Sequence, residues 1–223
     1  MHRRMPLHAN EPRDGGDDRP DAVLLVGPTG AGKTPLGDVL QARGLWGTVC
    51  AHFDFGRTLR ACVRDEGRAD LSPRDQALVR RMLETDALLE DAHFPLAERL
   101  FHGFVEARAR AAGTLIVLNG LPRHVGQAER MEPLVRMRAL VHLACPEATI
   151  LARVRRDTGG DRQGRRDDAP ARLRRKLAVF RAQTEPLLAY YRERGVRVVP
   201  LAVDAGTTAG AMHAELEQCQ GDA

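Results

Sequence analysis

The stretch VLLVGPTGAGKTPLGDVL, residues 23–40, decides the fold of this chain. An apolar run ends in a glycine-rich turn, and a helix-like pattern begins at the Lys-Thr pair. Glycines in such a turn let backbone N–H groups face inward around phosphate oxygens, and the helix N-terminus adds the positive end of its dipole. The stretch fits the pattern G-x-x-x-x-G-K-[ST] between a strand and a helix, where the mechanism requires it. It therefore predicts a binding site for a nucleoside triphosphate.

The residues of this loop have individual expected roles. The predicted phosphate cradle consists of Gly27, Pro28, Thr29, Gly30, Ala31, Gly32, Lys33 and Thr34. Lys33 is expected to reach the β- and γ-phosphates, and the Thr34 hydroxyl is expected to bind Mg²⁺. The loop therefore predicts Mg²⁺ as the cofactor that accompanies the bound nucleoside triphosphate, and it leaves the reaction open.

Five short apolar runs have strand character, and helix-patterned segments lie between them. The runs are 22–26, 48–53, 114–118, 138–144 and 196–201. This alternation predicts an α/β fold of the P-loop type, with a five-stranded parallel sheet flanked by helices. The connection 54–113 is too long for one crossover, so several helices are expected there as an insert. We predict a flexible tail over 1–20 and a single domain over 21–223.

The composition is that of a globular protein, with 43% hydrophobic and 29% charged residues. No apolar run approaches the roughly 20 residues that span a bilayer, and the first 20 residues lack the apolar core of a signal peptide. The four cysteines are scattered, which favours inert thiols in a reducing compartment. The expectation is a cytoplasmic, monomeric protein without membrane contact.

The positive charge is concentrated in one segment. The chain has a formal net charge of +4, whereas the segment 153–176 alone holds ten basic and four acidic residues, a balance of +6. This pattern favours a local anion site over an extended nucleic-acid face. Only two of the 34 basic residues are lysines, Lys33 and Lys176, so both are candidates for a chemical role.

Four segments in order resemble the adenylate kinase family of nucleoside monophosphate kinases, over about residues 22–205. They are the phosphate loop, H-F-D-F-G-R-T-L-R at 52–60, N-G-L-P-R at 119–123 followed by Gln127, and G-R-R-D-D at 164–168. The resemblance implies a phosphotransferase with two mobile parts, a helical acceptor-binding insert at about 54–93 and a short lid at about 156–166. Closure of both parts would keep water from the transferred group.

On the acceptor side, the resemblance assigns phosphate contacts to Arg60 and Arg123. It assigns Gln127 to an adenine edge, and it places Phe55 beside the acceptor base. Forked guanidinium groups suit phosphate because they donate two parallel hydrogen bonds.

On the lid side, the resemblance assigns Arg156, Arg165 and Lys176 to the transferring phosphoryl group. The pair Asp167–Asp168 matches the acidic pair that holds the lid hinge.

The departures from the family pattern lie mainly on the acceptor side. Asp54 stands at the end of the second strand, where a carboxylate can bind Mg²⁺ or accept a hydroxyl proton. Asn119 replaces the family's acidic residue and keeps only the ability to hold a metal-bound water. The predicted metal set is therefore Thr34, Asp54 and, through water, Asn119.

Three functions remain open from the sequence. The first is a kinase that transfers the γ-phosphoryl group of ATP to a nucleoside monophosphate, with AMP as the default. The second is a kinase for another small molecule, including a hydroxyl acceptor assisted by Asp54. The third is a nucleotide-binding regulator with a basic nucleic-acid surface over 153–176.

Overall fold

The computed structural model describes residues 18–64, 71–109, 111, 113–160 and 170–219. Most of the predicted tail, most of the predicted lid, and Arg165, Asp167 and Asp168 lie outside these ranges. The end of the tail is described, and the Pro20 carbonyl accepts a hydrogen bond from the Arg136 backbone N–H at 2.9 Å.

The sheet has five strands, and every neighbouring pair is parallel. The strands are β1 (Asp21–Val26), β2 (Cys50–Asp54), β3 (Leu115–Asn119), β4 (Arg136–Ala144) and β5 (Arg197–Ala202). Their order in the sheet is β2-β3-β1-β4-β5. The α/β prediction is confirmed, and each apolar run of the sequence forms one of these strands.

Nine α-helices, one 3₁₀ turn and one π-helical turn connect the strands in the described ranges. They are α1 (Lys33–Arg43), α2 (Phe55–Arg64), α3 (Pro73–Thr85), the 3₁₀ turn (Asp91–His93), α4 (Phe94–Arg108), α5 (Val125–Met131), α6 (Glu147–Arg156), α7 (Pro170–Val179), the π turn (Phe180–Thr184), α8 (Leu187–Glu193) and α9 (Ala209–Gln218). The long connection after β2 contains α2, α3 and α4, as its length predicts. None of the helices in the described part of the chain has the length and apolar character needed to cross a membrane.

The two faces of the sheet bury separate apolar clusters, because side chains alternate along each strand. Leu24 of β1 belongs to the larger cluster, which α2, α3, α4, α5 and α8 cover. Leu25, the next residue, belongs to the second cluster, which α1 and α9 cover. Phe53 anchors the larger cluster, with its ring 5.5 Å from Phe101 in an edge-on arrangement. Burying a side chain of this size stabilises the fold by about 2–3 kcal/mol.

The carboxyl ends of all five strands lie at one edge of the sheet, which is where ligands bind in open parallel sheets. β2 and β3 pair in a register that sets Asp54 beside Asn119. Their side chains therefore meet at the end of β1, where the glycine-rich loop begins.

Candidate active site

The glycine-rich loop joins β1 to α1 and forms one wall of a cavity of about 300 Å³. Gly32 is the N-cap of α1 and has φ of 102°, a left-handed conformation that favours glycine. The backbone there turns sharply enough for the helix to start at Lys33. The glycine in the sequence pattern thus stands where the backbone needs it, because glycine, which has no β-carbon, adopts a positive φ without steric strain.

Lys33 lies across its own loop in this structure. Its Nζ donates to the carbonyl oxygens of Gly27 at 2.6 Å and Pro28 at 2.8 Å. The ammonium therefore sits at the mouth of the loop on a four-carbon stem that can rotate toward a bound phosphate. Lys33 and Thr34 both line the cavity, and their contacts with phosphate and Mg²⁺ remain predictions.

Three polar side chains converge beside the loop. The Thr34 hydroxyl donates to Asp54 Oδ2 at 2.7 Å. Asn119 Nδ2 donates to the same Asp54 oxygen and to Thr34 Oγ1, both at 3.1 Å. Asp54 Oδ1 accepts from the Arg57 backbone N–H at 2.8 Å, which makes Asp54 the N-terminal anchor of α2 as well.

A hydroxyl and a carboxylate oxygen at this spacing are the hard ligands that Mg²⁺ prefers. Thr34 and Asp54 therefore fit the cation, and Asp54 is buried whereas Thr34 is half-buried. Asn119 offers its amide N–H to both oxygens, so in this arrangement it orients the other two groups.

Arg123 also lines the cavity, at the end of the N-G-L-P-R turn that follows β3. The bond between Leu121 and Pro122 in this turn is cis. Burial lowers the pKa of the Arg123 guanidinium from its ordinary value. Its Nε donates to Thr184 Oγ1 at 3.4 Å, and it has no carboxylate partner among the described residues.

Gln127 also lines the cavity, but its amide has two backbone partners. Its Oε1 accepts from the Arg123 N–H at 2.7 Å, and its Nε2 donates to the Leu89 carbonyl at 2.8 Å. The side chain is 1% exposed. Gln127 therefore fixes the Arg123 turn against the end of the helical insert, and its contact with an adenine edge stays a prediction.

The structure brings most of the other predicted residues into the same cavity. Phe55 and Arg60 of α2 and Lys176 of α7 line it together with the residues above. Arg156 ends α6 on the surface and is not among the described lining residues. Its contact with the transferring group remains a prediction, as does that of Arg165.

Three further residues were not identified from the sequence. Arg153 of α6 is 3% exposed and donates to the carbonyls of Gly30, Asp204 and Thr207, which ties the phosphate loop to the connection before α9. Arg153 is three residues from buried Ile150, and this helical spacing was the one signal in the sequence that Arg153 is buried.

Thr184 contacts Arg123 from the π turn, and Asp86 pairs with Lys176. Because these contacts join distant parts of the chain, no pattern among neighbouring residues in the sequence predicts them.

Comparisons with known proteins agree with this geometry. A family model described as an AAA domain matches residues 23–174. An adenylate kinase of Thermus thermophilus is 31% identical over 183 residues, covering 78% of this chain and 85% of that protein. One from Synechococcus (strain CC9311) is 33% identical over 181 residues, covering 78% and 86%. One from Nitrobacter hamburgensis is 30% identical over 185 residues, covering 78% and 80%.

The family-model match runs from β1 and the phosphate loop through α6 into the first residues of α7. The match to several relatives at this identity and coverage extends well beyond the phosphate loop that all P-loop proteins share. The chain therefore belongs to the adenylate kinase family and is an ATP-using P-loop kinase.

Proposed function

We propose that this kinase transfers the γ-phosphoryl group of ATP to a nucleoside monophosphate, with AMP as the default acceptor. The observation that carries the proposal is Arg123, a half-buried cation in the cavity wall without a carboxylate partner among the described residues, where burial lowers the pKa of the guanidinium. Burying an uncompensated charge is costly. An acceptor that already bears a phosphate would supply the missing negative charge.

The position of Arg123 relative to the donor loop supports the same reading. Arg123 and Arg60 lie in one cavity with Lys33, so a phosphate held by the arginines would lie close to the donor phosphates. The relatives reported above are named adenylate kinases, which makes AMP the first acceptor to test.

Such a transfer requires no covalent intermediate with the protein, because catalysis consists of positioning the substrates and neutralising the charge of their phosphates. Lys33 would neutralise the donor phosphates, Arg60 and Arg123 would hold the acceptor phosphate, and Lys176 would contact the transferring group. Arg156 and Arg165 would complete the clamp from the lid. Phe55 would flank the acceptor base.

Thr34 and Asp54 would hold Mg²⁺, whose bound charge would offset that of the phosphate oxygens. Asp54 is 7% exposed and hydrogen-bonded to Thr34, so it is already directed at the position that the cation would take. Asn119 would hold the carboxylate in that orientation.

The proposal is tested by coupled ADP release over a panel of nucleoside monophosphates, each compared with ATP alone. AMP or another monophosphate should stimulate release at least tenfold over the hydrolysis background. If no monophosphate stimulates release, the proposed acceptor class is wrong. A rise in melting temperature with AMP in addition to ATP provides an independent readout through linkage.

A second candidate is a kinase for a small molecule with a hydroxyl group, and Asp54 favours it. A buried carboxylate beside the phosphates could accept the hydroxyl proton during transfer. A panel of alcohols and sugars in the same assay distinguishes this candidate, because stimulation by an alcohol but by no monophosphate selects it.

The nucleic-acid alternative loses support from the placement of the basic segment. Arg153 donates to backbone carbonyls inside the fold, and Arg172 and Lys176 pair with Asp86. These three cations therefore face the protein. Binding of DNA or RNA that weakens with salt, and that Arg162→Glu with Arg166→Glu abolishes, would restore this alternative.

A further inference from the structure

Asp86 lies directly after α3 and caps its C-terminus in a left-handed conformation, with φ of 56°. Among residues with a side chain, Asp and Asn adopt this conformation most readily. The side chain of Asp86 is 17% exposed and lines the central cavity. The end of the helical insert thus directs a carboxylate into the site.

Two cations of α7 contact this carboxylate. Arg172 Nε pairs with Asp86 Oδ2, and Lys176 Nζ lies 3.2 Å from Asp86 Oδ1. Arg172 and Lys176 are four residues apart, so they lie on one face of the helix. Arg172 Nη2 also donates to the last carbonyls of α3, those of Leu83 at 3.2 Å and Glu84 at 3.3 Å.

The two pairs have different surroundings. Arg172 is 30% exposed and ties the start of α7 to the backbone carbonyls at the end of α3, so its main role is to stabilise the fold. Lys176 is 18% exposed and lines the cavity that also holds Lys33 and Arg123. An ammonium on a four-carbon stem has much rotamer freedom, and a fixed carboxylate on one side restricts that freedom.

We propose that Asp86 is a positioning residue that holds the Lys176 ammonium at the point in the cavity where the phosphoryl group is transferred. The inference rests on the proposed function, since it takes Lys176 to contact the transferring group. It adds that the helical insert, through Asp86, sets where that contact is made. Asp86 itself does not touch the substrates in this scheme.

Asp86→Asn is the decisive variant, because asparagine keeps the left-handed conformation and the shape of the side chain while it removes the charge. We expect kcat to fall about tenfold with less than a threefold change in the KM of either substrate, as for a misplaced catalytic group. Lys176→Met should lower kcat by about a hundredfold. Adding Asp86→Asn to Lys176→Met should then change kcat by less than twofold, because Asp86 acts through Lys176.

Glu84→Gln and Arg174→Gln are the matched controls, since both residues are exposed and adjacent to the pair in sequence. Neither should change kcat by more than twofold. The melting temperature reports the separate structural task, so Arg172→Gln should lower it while leaving kcat nearer to the wild-type value than Asp86→Asn does.

The same variants are measured for hydrolysis of ATP in the absence of any acceptor. Lys176→Met and Asp86→Asn should slow this reaction as well, so the inference is tested even if no monophosphate proves to be an acceptor. A wild-type kcat for Asp86→Asn in both reactions would overturn the inference. So would a further tenfold loss when Asp86→Asn is added to Lys176→Met, because the two side chains would then act independently.

Discussion

The donor side and the acceptor side of the cavity are built from different parts of the chain. The donor side is a continuous stretch, 27–34, whose backbone forms the cradle and whose Lys33 donates to two carbonyls of its own loop. The acceptor side combines α2 and the turn after β3, and the end of α3 and one face of α7 line the cavity beside them. A local motif can fix the first, whereas the second depends on side chains that meet only after folding.

This difference predicts how substitutions act. The phosphate loop binds through its backbone N–H groups together with the Lys33 ammonium and the Thr34 hydroxyl. Asp54, Asn119 and Asp86 act through side chains that stand at or just beyond the ends of strands and helices. We therefore expect changes on the donor side to abolish turnover and changes on the acceptor side to redirect or weaken it.

Lys33→Ala should have the largest effect, with a loss of at least a thousandfold in kcat and no change in the fold. ADP release measures the activity, and circular dichroism with the melting temperature reports the fold. Arg43→Ala, an exposed change in the last turn of the same helix, is the control and should keep full activity. Activity retained in Lys33→Ala would mean that the donor site has been assigned wrongly.

Arg123→Met should raise the KM of the acceptor about a hundredfold and leave the KM of ATP within threefold, because it removes the charge that we propose for the acceptor phosphate. The melting temperature should not fall, since the guanidinium is desolvated without a carboxylate partner among the described residues. Arg138→Met, at an exposed position of β4, is the matched control. An equal rise in both KM values would place Arg123 on the donor side instead.

Asp54→Asn separates the two acceptor classes. A monophosphate acceptor needs no base, so the variant should need about tenfold more Mg²⁺ for half-maximal rate and recover much of its kcat at saturating Mg²⁺. A hydroxyl acceptor would lose kcat at every Mg²⁺ concentration. Titration of Mg²⁺ at saturating ATP and acceptor distinguishes these results.

Gly37→Ala tests the packing that supports the donor side. A β-carbon at this position would lie 2.3 Å from Nε2 of buried His52, so α1 and β2 must move apart. We expect a loss of about 1–3 kcal/mol in the free energy of unfolding. Urea denaturation measures the loss, and Gly103→Ala, where a β-carbon meets nothing within 4 Å, is the control.

The smallest expected effect concerns pH. Burial lowers the pKa of His52 below its usual value, against the opposing influence of Asp38 at 3.0 Å. The unfolded chain then binds the proton more readily, so this contribution to stability is present above the unfolded pKa of about 6.5 and declines as the pH falls below it. His52→Gln should flatten the pH dependence of urea denaturation between pH 7 and 5, and an unchanged slope would contradict the assignment.

The fold could be predicted closely because its signals are local. The apolar runs gave the five strands, and the length of the connection 54–113 gave the helical insert. The sequence also indicated that Thr34, Asp54 and Asn119 belong to one site, since the carboxyl ends of parallel strands meet at one edge. The pairing of β2 with β3, which sets Asp54 beside Asn119, is visible only in the structure.

The sequence by itself therefore determined the α/β fold, the phosphate loop and the residues at the strand ends. Only the tertiary structure decided that Gln127 braces the turn of Arg123 against Leu89, that Arg153 ties the phosphate loop to the connection before α9, and that Asp86 pairs with Lys176. The physical reason is the separation along the chain between the residues that interact. Backbone turns and strand periodicity are set by neighbouring residues, whereas a buried polar or charged side chain takes its role from partners that folding brings to it from 38 to 123 positions away.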